Sequence, residues 1–209
     1  LFRDEFIHSL VKDYEMLQTM QSLWNQVTED PKREEFMTQL RKNRLLKGQK
    51  LIIFTESKET GAYLLEHLDQ KYPGKILFYC SAGGSKHAGT PAISANLSKD
   101  LIRANFDAGY ENPANEVQIL ITTDVLAEGV NLHRSNIIIN YDLPWNPTRV
   151  LQRVGRINRV GTAHQRILIF NFFPTAQADK ELGLEENIKT KIQAFHDALG
   201  EDARYLTDE

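Results

Sequence analysis

Between residues 50 and 172, short runs of consecutive apolar residues, many of them β-branched, alternate with stretches whose apolar positions recur at helical spacing. Runs that are apolar on every position suit strands covered on both faces, and their alternation with helices suits parallel strands joined by helical crossovers. The pattern predicts strands at Leu51 to Thr55, Ile76 to Cys80, Val117 to Thr122, Asn136 to Tyr141 and Arg166 to Phe172. Between them it predicts a helix over Lys58 to Gln70, with Leu64, Leu65 and Leu68 on one face, another over Ala95 to Phe106, and a short one beginning at Asn146. Asn146 can cap that last helix, Pro147 suits its first position and Gly161 can end it. The expected architecture is an open, three-layer α/β domain.

Residues 1 to 47 carry a different pattern. Phe6, Leu10, Tyr14 and Leu17, then Leu23, Trp24 and Val27, are spaced for one helix; a second begins after Asp30 and Pro31 and runs through Phe36 and Leu40 to a stop at Gly48. The segment from Gln177 to Leu199 also reads helical, through Leu182, Ile188, Ile192 and Phe195. These are expected to be flanking helices, packed on the sheet or on chain beyond this piece. Ser81 to Ala92, with Gly83, Gly84 and Gly89, reads as a flexible loop.

Composition narrows the function. The chain has 209 residues, 41% hydrophobic and 25% charged, enough for one large domain with a sizeable core. Apolar runs of about five residues fall far short of the roughly 20 that cross a bilayer, and the amino end carries no export signal, so the protein is expected in the cytoplasm, nucleoid or nucleus. The chain does not begin with Met and is expected to be a piece of a longer protein. Cys80 is the one cysteine, which excludes an internal disulfide framework; at the end of an apolar run it reads as a small buried hydrophobe. The six histidines have no paired ligand spacing, so no metal site is expected. Neither G-x-x-x-x-G-K-[ST], G-x-G-x-x-G after a strand, nor G-x-S-x-G occurs. Asp124 and Asp142 stand at strand ends where metal ligands of a stand-alone phosphotransferase could lie, but neither is followed by a second acid.

Charge is distributed unevenly. The formal net charge is -3, yet from Leu143 to Ala178 there is no Asp or Glu and there are five arginines: Arg149, Arg153, Arg156, Arg159 and Arg166. The first four follow helical spacing, where like charges repel by a few tenths of a kcal/mol per pair. Something anionic must compensate. Carboxylates from elsewhere in the fold would do so, as would a bound polyanion; arginine in place of lysine suits bidentate contact with phosphate or carboxylate.

The run Gln152 to Gly161, QRVGRINRVG, matches Q-x-x-G-R-x-x-R-x-G and resembles the sixth motif of superfamily 2 helicases. ILITTDVLAEGVNL, from Ile119 to Leu132, is similar to their fifth motif, KLIIFTESKETGAYLLEHL, from Lys50 to Leu68, to their fourth, and YDLPWNP, from Tyr141 to Pro147, to a linking segment of the Swi/Snf-like branch. The motifs occur in the family's order, and the resemblance covers about residues 30 to 175. It implies the carboxyl-terminal RecA-like lobe of an ATP-driven nucleic-acid motor, an α/β domain with a mainly parallel sheet at residues 48–175, preceded by a helical lead-in or inter-lobe linker at 1–47 and followed by a helix and acidic tail at 176–209. ATP with Mg²⁺ would be held mainly by a first lobe, which carries the phosphate loop and is the expected partner.

The same resemblance implies the site residues. Arg156 and Arg159, placed on one helix face, would reach the charge developing on the transferred phosphoryl group, and Gly155 would let backbone approach closely. Gln152, Glu128, Gly129 and Asn131 would serve the nucleotide cleft. Thr123, Ser57, Lys58, Ser81 and Gly83 would contact nucleic-acid backbone, with Gly84 beside them and Gly129 also placed where phosphate is touched. Arg153 is expected in an intradomain ion pair. Asn131 followed by Leu132 is closer to the Swi/Snf-like form than to the DEAD-box form, which favours duplex DNA. A degenerate helicase fold that binds nucleic acid or protein and hydrolyses nothing is the alternative.

Overall fold

In a computed structural model of the chain, which describes residues 3–127, 130–144, 146–159 and 162–173 together with Glu186, Lys189 and Thr190, every apolar run predicted above becomes a strand. The elements of the larger unit are β1 (Leu51–Phe54), α3 (Lys58–Asp69), β2 (Ile76–Cys80), β3 (Gly83–Ser85), α4 (Ala95–Phe106), β4 (Ile119–Thr122), β5 (Ile137–Asn140), α5 (Pro147–Ile157) and β6 (Leu168–Asn171). They follow two helices, α1 (Asp4–Trp24) and α2 (Pro31–Lys42). The chain divides into two compact units, Leu1–Arg44 and Leu45–Glu209.

The six strands form one sheet in the order β3-β2-β4-β1-β5-β6, parallel throughout except for β3, which runs antiparallel to β2. This is the mainly parallel α/β arrangement that the alternating pattern predicts. Successive strand residues face opposite sides. Ile52, Phe54, Leu77, Tyr79, Leu120 and Ile138 form one buried cluster with Ile102 and Phe106 of α4 and Val154 and Ile157 of α5. Leu51, Ile53, Ile76, Ile119 and Ile121, of opposite parity, are also buried, and α3 lies against β2 and β4 with Leu64, Leu65 and Leu68 buried. Each such side chain contributes roughly 1.5 to 3 kcal/mol by leaving water. Gly61 of α3 presses on the Phe78 ring, where a Cβ would collide.

The register sets the site. Tyr79, Thr122, Phe54, Asn140 and Asn171 pair across the sheet in a single transverse row, so five parallel strands end level with one another. Ligands of open parallel sheets bind outside such carboxyl ends. Asn140 Nδ2 donates to Asn171 Oδ1 at 2.7 Å and fixes the row between β5 and β6.

Three expectations change. The segment read as a flexible loop contains β3, where Gly84 exchanges backbone hydrogen bonds with Ile93 (N to O, 2.9 and 2.6 Å) and Gly83, at φ 112, leaves no room for a Cβ beside the Ile93 carbonyl. The second helix ends at Lys42 rather than running to Gly48, which instead supplies a turn at φ 77. The amino-terminal helix forms as its spacing predicts, but none of its residues is buried, and Phe6, Leu10, Tyr14, Leu17, Leu23 and Trp24 are exposed. In α2, Asp30 caps the helix by accepting from Arg33 N at 3.0 Å, and Phe36 and Leu40 are buried. The predicted carboxyl-terminal helix from Gln177 to Leu199 lies almost wholly outside the described residues, as does Gly161. No helix among the described residues is long and apolar enough to cross a membrane.

Candidate functional site

Asn146 caps α5 by accepting from Thr148 N at 3.0 Å, and Val150, Val154 and Ile157 anchor one stripe of the helix in the core. That stripe sets which face of α5 is buried, and the arginines of the helix and of the residues just after it separate into two pairs.

Arg149 and Arg153, one turn apart, meet the strand-end loops. Arg153 is fully buried: its guanidinium donates to Glu56 Oε1 (2.9 Å), Asp124 Oδ1 (2.7 Å) and Asn140 Oδ1 (2.8 Å), and stacks 4.7 Å from the centre of the Phe54 ring. Arg149, half exposed, takes the remaining oxygen of each carboxylate, Glu56 Oε2 and Asp124 Oδ2, both at 3.2 Å. Each carboxylate thus bridges both cations. The intradomain ion pair expected of Arg153 is present, and it is shared. Asp142 is engaged as well, its Oδ2 accepting from Glu56 N at 3.1 Å. Asp124 is held by two guanidinium groups, and no group of three or more potential metal ligands occurs among the described residues.

Arg156 and Arg159 differ. Neither has an ion pair among the described residues. Arg156 is half-buried, and its Nε is one of two buried side-chain nitrogens there without a hydrogen-bond partner, the other being His133 Nδ1. Arg159 is exposed and lies past the helix end at Ile157, so the two do not share a helix face as the spacing predicts; its Nε folds back onto the Gly155 carbonyl at 3.1 Å, where the helix terminus favours a cation. Gly155 is exposed and has no atom within 4 Å of where a Cβ would stand, which leaves the approach to this surface open. Two cations without carboxylates, one with an orphaned buried N–H, fit a phosphate group supplied from outside the lobe.

Four of the other predicted residues follow the carboxyl ends of parallel strands. Thr123 follows β4 and is half-buried; Ser81, exposed, follows β2; Ser57 and Lys58 follow β1. Ser57 is already the cap of α3, its Oγ accepting from Thr60 N at 3.0 Å, while Lys58 is solvent-exposed and 3.7 Å from Glu59. Gly83 is buried at the start of β3, two residues beyond Ser81. Gln152 is exposed on α5 and Asn131 is half-buried between Val130 and Leu132. Glu128 and Gly129 lie outside the described residues. The open groove lined by Glu59, Tyr63, Phe78, Ser85, His87 and Thr90 contains none of these residues.

Sequence reasoning missed Glu56 and Asn140 as partners of the arginines. The signal available was the acid-free stretch itself, which demands acids from distant positions. It also missed Lys50, half-buried, whose Nζ donates to the Val117 carbonyl at 2.7 Å and lies 4.8 Å from the Phe106 ring centre. Burial, with a smaller contribution from the Arg134 guanidinium, lowers its pKa to about 8.

The doubly covered sheet with an arginine-bearing helix at its carboxyl edge defines a RecA-like lobe. Residues 32–161 match the helicase conserved C-terminal domain, and the chain belongs to that family. Among curated proteins it is 33% identical, over 195 residues and 84% of its length, to the Bacillus subtilis "uncharacterized ATP-dependent helicase YqhH", and 31% identical, over 105 residues and 50% of its length, to the Nicotiana tabacum eukaryotic initiation factor 4A-8. It spans 31% and 21% of the lengths of those two relatives. Among solved structures, the fold is shared with the C-terminal part of the Fun30 ATPase domain (TM-score 0.53, 19% identity, 87% of this chain and 58% of that one) and with the C-terminal domain of the DEAD-box protein Dbp5 (TM-score 0.52, 20% identity, 84% and 82%).

Proposed function

We propose that the chain is the second motor lobe of an ATP-dependent helicase or DNA translocase, in which Arg156 and Arg159 reach phosphates of ATP held by a first lobe of the same parent protein. The observation that carries this reading is the division of the α5 arginines: two are neutralised locally and two, at the positions matching the sixth helicase motif, have no carboxylate among the described residues. ATP with Mg²⁺ supplies the electrophilic phosphorus; Arg156 and Arg159 supply positive charge where negative charge accumulates, a contribution of about 10³ to 10⁵ in rate in comparable phosphoryl-transfer enzymes. Gln152 and Asn131, with Glu128 and Gly129, orient the nucleotide side of the cleft. Thr123, Ser57, Lys58, Ser81 and Gly83 contact the nucleic-acid backbone without reading its sequence.

Duplex DNA is the favoured substrate, on the Swi/Snf-like form of Asn131-Leu132 and of YDLPWNP. RNA is the second reading, favoured by 30% identity over 129 residues with the Candida albicans "ATP-dependent RNA helicase eIF4A". Residues 1–47 act as the lead-in between lobes, and 176–209 as a terminal helix and tail. The test is ATP hydrolysis by the full-length parent with no nucleic acid, duplex DNA, single-stranded DNA or RNA. Turnover stimulated most by duplex DNA, and absent from the 209-residue chain alone, is expected. A wild-type parent with no turnover on any of them refutes the motor and leaves the non-catalytic scaffold.

A further inference from the structure

Arg149, Arg153 and Arg156 sit on α5 with Arg159 two residues past its end, and the neutralised pair is bound to loops that also carry the residues assigned to nucleic acid. Glu56 immediately precedes Ser57 and Lys58, and Asp124 immediately follows Thr123. Both carboxylates grip α5 through Arg149 and Arg153, and Glu56 N is fixed in turn to Asp142 after β5. A helix resting only on apolar contacts could rotate by small amounts at little cost, because such contacts lack direction. Four charge-assisted hydrogen bonds from two rigid guanidinium forks hold it in one orientation.

We propose that Glu56 is a positioning residue, which with Asp124 couples the loops after β1 and β4 to α5 so that a shift of either loop on nucleic-acid contact moves Arg156 and Arg159. This rests on the phosphate-directed reading of those two arginines. In this role Glu56 acts through its ion pairs with Arg149 and Arg153. The arrangement is asymmetric in a useful way. Arg153 is sealed from water, while Arg149 is half exposed on the same carboxylates, so the clamp has a fixed arm and an accessible one.

The test uses the full-length parent and initial ATPase rates over a range of ATP, with and without saturating duplex DNA. Glu56→Gln keeps the shape of the side chain and removes its charge. It is expected to lower the DNA-stimulated kcat by about tenfold to a hundredfold, the effect of a small misplacement of catalytic groups, with KM for ATP and half-saturating DNA unchanged within about twofold. Glu56→Asp, which keeps the charge but shortens the reach, is expected to lower kcat without restoring stimulation. Should Glu56→Gln fail to fold, Arg149→Gln carries the test, since it removes the exposed arm and leaves buried Arg153 paired; a fall in stimulated kcat of about threefold or more is expected. A folded Glu56→Gln, or in its absence Arg149→Gln, with wild-type stimulated kcat overturns the proposal, as does a loss confined to KM or to DNA affinity. A wild type that hydrolyses no ATP on any nucleic acid overturns the preceding reading too, whereas a stimulated wild type with unaffected clamp variants overturns only this one.

Discussion

The first half of α5 and its carboxyl end carry the same residue type to opposite surroundings. In the first, Arg149 and Arg153 meet two carboxylates and an asparagine from three other strand ends; at the second, among the described residues, Arg156 is half-buried with its Nε unpartnered and Arg159 meets a backbone carbonyl. A buried guanidinium without a carboxylate is costly, so Arg153 requires Glu56 and Asp124 for the fold itself. Arg156 and Arg159 give the lobe little and repel each other slightly. Residues that add nothing to the stability of the piece that contains them are accounted for by what that piece meets.

The comparison breaks most sharply under a pair of alanine substitutions. Arg159→Ala is expected to reduce nucleic-acid-stimulated ATP turnover by the parent about 10³-fold or more, yet to leave unfolding of the 209-residue chain within about 0.5 kcal/mol of wild type; a stability loss matching that of Arg153→Ala would erase the distinction. Arg153→Ala should cost about 3 kcal/mol in urea unfolding, the low end for breaking a buried pair because both carboxylates keep some access to water. Arg149→Gln sharpens the contrast within the first turn. As an exposed arm it should cost less than about 1 kcal/mol, and that cost should shrink in high salt while the Arg153 effect persists.

The smallest effect concerns a third kind of cation, Lys50, half-buried and without an ion pair among the described residues. Its folded pKa of about 8 lies below its ordinary 10.5, so the unfolded chain binds more protons between those values and stability rises with pH across that window. Tyr79, raised above 10.0 by burial, acts in the opposite sense above pH 10, so the clean interval is pH 8 to 10. The difference in melting temperature between wild type and Lys50→Met is expected to drift in favour of wild type from pH 8 to 10 and to stay level from pH 6 to 8.

Local signals made most of the fold legible. The parallel strands are buried on both faces, so their apolar runs needed no knowledge of neighbours, and α4 and the start of α5 fall where Ala95 and Asn146 place them. The strand β3 was hidden because Gly83-Gly84-Ser85 has no strand propensity; it forms by folding back antiparallel on β2, with Ile93, distant along the loop, bridging its other side. Arg153 could be assigned to an ion pair from sequence, but its acceptors could not. Glu56 lies 97 residues away and Asp124 29, and only the register of β1, β4 and β5 brings them together. The place of Arg159 was misjudged for a similar reason, since the helix stops at Ile157 and not at Gly161.

The level row from Tyr79 to Asn171 bears on how such an edge would hold a long polyanion. Loops that finish in one plane can be engaged together, and once one has closed on a chain of phosphates the others face it at high effective concentration. On the proposed reading, grip would come from simultaneity, each loop being individually feeble and easily released, which is the condition for holding a track while stepping along it.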